Sequence, residues 1–138
     1  MSIDADRMLR RVLAEVFGDN IEVEYSYDPK SMGHRALLTS VDDKPTQLGF
    51  HVTHDWCSVW ILDLEPDVSM TDFDYDYEEE PKAANLRALA RVLHAYVNGE
   101  GRIEYRPTLI RRRLQPHFVV EIDGGVWSLG HHFSRRPV

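Results

Sequence analysis

A chain of 138 residues has the length of one domain and is long enough to bury a substantial core. With 43% hydrophobic and 28% charged residues and no run near the roughly 18 apolar residues of a membrane-spanning helix, the composition is globular and excludes a helical membrane span. The net charge of -7 is unevenly spread: residues 1–81 carry 6 Lys/Arg against 19 Asp/Glu, and residues 82–138 carry 10 against 4, so direct nucleic-acid binding is disfavoured by the field of the first part.

Acids at Asp4 and Asp6 stand where a secretory signal would be basic and then apolar, so no export segment is expected. The lone Cys57 allows no disulfide within the chain and fits a reducing cytoplasm.

The first element is a helix over residues 4–17. Met8, Leu9, Val12, Leu13, Val16 and Phe17 recur at helical spacing, Asp4 or Ser2 caps the start, and Gly18 ends it. Ile21, Val23, Tyr25 and Tyr27 then alternate with Glu22, Glu24, Ser26 and Asp28, the period of a half-buried strand with an acidic outer face. A loop over 29–33 leads to a second strand over 35–41, and residues 42–45 are a turn by composition.

Residues 47–53 and 57–64 read as two further strands joined through His54, Asp55 and Trp56. The second is apolar on both faces, which suits a central position. A second helix is expected over 82–97, with Leu86, Leu89, Val92, Leu93 and Tyr96 on one face and Asn98 and Gly99 closing it. Residues 102–105 and 108–114 look extended, but Pro107 and Pro116 demote them to edge or irregular strands. Residues 118–122 and 126–129, around Asp123, Gly124 and Gly125, form the clearest hairpin.

The expected fold is therefore a single α+β domain over residues 1–138. It has a mainly antiparallel sheet of about six strands and two helices packed on one face, in the order α-β-β-β-β-α-β-β-β.

Between the fourth strand and the second helix lies an acidic and aromatic alternation at 71–81. Asp72, Asp74 and Asp76 interleave with Phe73, Tyr75 and Tyr77, followed by Glu78, Glu79 and Glu80. An extended backbone would put carboxylates on one face, spaced about 7 Å apart, and rings on the other. Such a ribbon serves either as a soluble edge that deters aggregation or as an acceptor surface for Arg and Lys, with the tyrosines adding flat contact area.

His51, His54, Asp55 and Cys57 gather ligand-type side chains within seven positions. On one strand, however, His51 and His54 point to opposite faces, and the only added ligands in sight are His131 and His132, so no metal site is assigned. A nucleophilic Cys57 would need a neighbouring imidazole and a nucleophile-bearing turn, and no such turn or Gly-rich phosphate loop is present. Gly124-Gly125 is a hairpin turn, and no cofactor is expected. Arg102, Arg106, Arg111, Arg112, Arg113, Arg135 and Arg136 form a basic counterpart to the ribbon, available for neutralising it internally or for self-association as a homodimer. Trp56, Trp60 and Trp127 are placed in the core or at its margins.

The functional expectation is a small cytoplasmic protein that binds a basic protein partner through residues 72–80, as an immunity- or antitoxin-like inhibitor, rather than an enzyme. The alternatives are a secretion or assembly chaperone acting as a dimer, and a small-molecule enzyme using His51, His54, Asp55 and Glu121.

Overall fold

The structure, a computed structural model, describes residues 4–41, 45–75, 78–108, 113–131 and 133–137. Its order is α1 (Ala5–Phe17), β1 (Ile21–Asp28), β2 (Gly33–Ser40), β3 (Gln47–Val52), β4 (Trp56–Ile61), β5 (Val68–Phe73), α2 (Glu79–Val97), β6 (Arg102–Pro107), β7 (Leu114–Ile122) and β8 (Gly125–Leu129). The α+β class, the two helices and the antiparallel pairing are as expected. The strands divide into two sheets, β1-β2-β3-β4-β5 and β6-β7-β8, in place of one sheet of about six.

Each sheet is a meander of consecutive hairpins, the arrangement that short connections favour. The long α2 separates them in sequence, and among the described residues one main-chain bridge links them, between Ser69 of β5 and Gly130 just beyond β8. Pro116 lies within β7, the middle strand, yet it pairs only with Tyr105 of β6, because β8 begins its pairing at Phe118. The missing N–H of Pro116 therefore leaves no gap in a second ladder.

Cross-strand rows explain the core of the larger sheet. Leu38, Leu48, Ile61 and Val68 lie side by side, as do Ala36, Phe50, Val59 and Met70, and all are buried. Both helices cover this inner face. α1 buries Met8, Leu9, Val12, Leu13 and Phe17, with the Phe17 ring edge-on to Phe50 at 6.1 Å. α2 buries Leu86, Leu89, Val92 and Leu93 and also reaches β7, where Tyr96 meets Phe118 edge-on at 5.3 Å. One continuous core results.

Asp4 caps α1 by accepting the Arg7 N–H at 3.0 Å. α2 starts at Glu79, three residues earlier than the periodicity suggests, with Pro81 in its first turn, where the ring is tolerated because those N–H groups have no partner inside the helix.

Candidate functional site

The acidic-aromatic segment forms the corner from β5 into α2, and parity along β5 decides where its side chains go. Val68 and Met70 face the core, so Asp72 continues that inner row, beside Cys57 of β4, and Phe73 faces out beside Trp56. Regular strand ends at Phe73, so the segment is not one long ribbon. Its first two acids are engaged inside the protein. Asp72 accepts the Arg136 guanidinium at 2.6 Å. Asp74 is buried, its carboxylate accepts from the Asn85 amide at 2.6 Å, and its N–H donates to the Asp55 carbonyl at 2.8 Å.

Beneath the corner lies Lys82, only 5% exposed. Its ammonium donates to the carbonyls of Asp74, at 2.8 Å, and His54, at 2.6 Å, tying the β5–α2 corner to the β3–β4 turn. A cavity of about 10 Å³ adjoins it, lined among others by Cys57, Asp72, Asp74, Lys82 and Asn85. That is room for roughly one water and no larger ligand.

The rest of the segment points outward. Phe73 and Tyr75 are 65% and 64% exposed. Glu78 precedes α2, Glu79 and Glu80 occupy its first turn, and all three are exposed. Acids there suit the positive end of the helix dipole, and Glu80 also meets Arg11 of α1 at 3.4 Å. Asp76 and Tyr77, named with the ribbon, lie outside the described residues.

The four residues at 51–57 do not converge. His51 and Cys57 sit on opposite faces of the sheet, since Val52 pairs with Cys57 and His51 with Ser58. His54 contributes its carbonyl to Lys82, and Asp55 its carbonyl to Asp74. Glu121 lies on β7, in the other sheet. Among the described residues no three His, Cys, Asp or Glu side chains are gathered closely enough to hold a metal ion. Burial, and next the nearby Asp72 carboxylate, push the Cys57 thiol up to about 12, which keeps it protonated and removes its nucleophilic character at neutral pH.

His51 belongs to the outer face. Its Nε2 lies 2.9 Å from the Ser31 hydroxyl, which donates to Asp28 at 3.0 Å, and Asp28 also accepts from Arg35 at 3.0 Å. The ring stacks obliquely on Trp56, with centroids 4.6 Å apart. A Cβ on Gly33 would come within 2.1 Å of His51 Nε2, so only glycine admits the ring there. The His51 imidazole is held below its ordinary pKa by burial and by Arg35, against the opposing pull of Asp28.

The basic residues are dispersed. Arg102 and Arg106 both bind Glu104, and Arg136 binds Asp72 and Asn85. Arg113 is exposed, while Arg111 and Arg112 lie outside the described residues. Of these basic residues Arg136 neutralises the acidic segment directly, at Asp72, and Arg11 of α1 meets the segment at Glu80. Trp127 is buried in the core, whereas Trp56 and Trp60 are half-buried on the outer sheet face.

Sequence reasoning missed Lys82 and Asn85, the two side chains that hold the corner. Lys82 directly follows Pro81 and passes for the charged margin of a helix, although the inward parity of Asp72 was legible from Val68 and Met70. Compared with protein-family models, curated proteins and solved structures, the chain matches none.

Proposed function

We propose that the chain is a protein-binding protein whose β5–α2 corner captures a basic surface of a partner, as an inhibitor of the immunity or antitoxin kind acting in the cytoplasm. The observation that carries this reading is the exposure of Phe73 and Tyr75 on a backbone fastened from below by a buried lysine. Two large exposed rings on a fastened backbone are good interface anchors because less main chain remains to be ordered on binding, and Glu78, Glu79 and Glu80 beside them supply the complementary charge. Acidic groups at such a rim act mainly on association rate and salt dependence, while the rings carry affinity.

The structure changes which residues test the idea. Asp72 and Asp74 serve the fold, so the informative variants are Phe73→Ala with Tyr75→Ala, and Glu78→Gln with Glu79→Gln and Glu80→Gln. In a pull-down from the native host, the wild type should retain one stoichiometric basic protein that is released by salt. The ring variant should lose it, and the charge variant should bind it more slowly and with weaker salt dependence. Equal retention by the folded ring variant would overturn the proposal.

A second reading, an assembly chaperone, draws on the outer face of the five-stranded sheet, where Trp56 and Trp60 lie half-buried on the side away from the two described helices. A partner delivered unfolded, contacting Trp60 rather than Phe73, would distinguish it.

A further inference from the structure

The two sheets have four outer edges, and they are not equivalent. β5 is partly closed by the Ser69–Gly130 bridge and by Ser134, whose hydroxyl donates to the Ser69 carbonyl. β8 is closed at Ser128 by paired main-chain bonds with Arg135. β6 is six residues long, its Arg102, Glu104 and Arg106 side chains bind one another, and it ends on Pro107, which has no N–H to donate.

β1 differs from all three. It is eight residues long and, among the described residues, pairs only with β2, with no strand or isolated bridge on its other side. Its inner face is anchored, with Val23 and Tyr25 against the core and the Arg10 guanidinium 4.0 Å above the Tyr25 ring. On the outer face Glu22, Glu24 and Ser26 are exposed, and neither glutamate has a counter-ion among the described residues. A regular strand with a free row of N–H and C=O groups is a template for another strand. Natural edges of this kind are usually blunted by charge, proline or a bulge; within Ile21–Asp28 there is neither proline nor bulge, and the charge is that of the two glutamates and Asp28.

The acids decide what can add there. In a two-fold antiparallel pairing of β1 with a second copy, every register that pairs five or more residues of Ile21–Asp28 sets Glu22 or Glu24 opposite another acid on the same face, which is destabilising. A strand with Lys or Arg at every second position meets the reverse situation. Its main chain completes the ladder, and its cations fall beside Glu22 and Glu24. We infer that β1 is a strand-addition site for an extended, alternately basic segment of a partner protein, separate from the β5–α2 corner at the far edge of the same sheet.

The test uses the full chain, labelled for amide NMR, with the peptide Lys-Thr-Lys-Val-Lys-Thr-Lys. Binding should slow hydrogen exchange at alternate amides of β1 and shift signals of residues 21–28. The same peptide N-methylated at alternate residues keeps its charge but cannot complete a ladder, and it should bind at least about tenfold more weakly. Glu22→Gln with Glu24→Gln, both exposed and safe for folding, should weaken the unmodified peptide by about tenfold, in line with two cross-strand ion pairs. Phe73→Ala with Tyr75→Ala should leave this binding unchanged, so this inference and the proposed role of the corner fail separately. Equal affinity for the methylated peptide, or shifts confined to residues 73–80, would overturn it, as would a dimer of the free chain that already protects β1.

Discussion

Lys82 Nζ donates to the main-chain carbonyl of Asp74 at 2.8 Å from a position inside the protein, and the same ammonium reaches the carbonyl of His54. A buried charge is tolerated here because it is hydrogen-bonded to carbonyls and near the carboxylates of Asp72 and Asp74, which line the same cavity. Lys82→Met keeps most of the stem volume and removes both bonds. It should destabilise the fold by roughly 2–4 kcal/mol, the cost of two carbonyls left unsatisfied. Urea denaturation of the two proteins measures this, and an unchanged midpoint would contradict the role of the clip.

The pair of Asp72 and Arg136 joins β5 to the last described residues at 2.6 Å, with the two side chains 24% and 39% exposed. Partial solvent screening limits its worth, so Arg136→Ala should cost no more than about 1 kcal/mol. Its clearer effect should be local. Amide exchange at Ser128, whose N–H donates to Arg135, should speed up while the centre of β3 keeps its protection.

Two histidines set the response to acid. His51 and His117 are both held below the ordinary imidazole pKa, chiefly by burial, and next by Arg35 and Arg106 respectively. The unfolded chain therefore binds more protons than the folded one just below about pH 6.5, and stability must fall as the pH drops through that region. Asp28, hydrogen-bonded by Ser31, and Glu104, hydrogen-bonded by Arg106, are held low. Their contribution is present above about pH 4 and is lost below it. Thermal midpoints should thus decline in two steps on acidification. His51→Gln should shrink the upper step, and a flat profile between about pH 7 and 5 would refute the assignment.

Cys57, 9% exposed with its thiol raised to about 12, should be inert in the native protein. A disulfide reagent in excess should label it only at the rate of unfolding. Labelling within the mixing time of native protein at neutral pH would show that the thiol is open to solvent.

The local patterns were enough for most elements. Met8, Leu9, Val12 and Leu13 specify an amphipathic helix wherever the chain places it, and Gly124-Gly125 between apolar runs specifies a hairpin. Strand parity likewise fixes Asp72 with Val68 and Met70 and sets Phe73 apart, since a strand has a period of two regardless of its neighbours. None of this local information says how strands distribute between sheets. The split into five and three depends on α2 packing between β4 and β7, a contact between residues far apart in the chain.

The corner was decided in the same way. The sequence shows nine acidic and aromatic residues at 72–80, and although parity sets Asp72 with Val68 and Met70, nothing local names the partners that two of the acids find. Asp74 finds Asn85 only because α2 folds back against the sheet at β4, and Asp72 finds Arg136 only because the chain returns to that edge 64 positions later. Composition and periodicity determined the helices, the hairpins and the presence of an acidic segment, because these follow from short-range sterics and the solvent preference of each side chain. Which carboxylates remain available to a partner depends on long-range pairing of charges, and only the tertiary structure settles that.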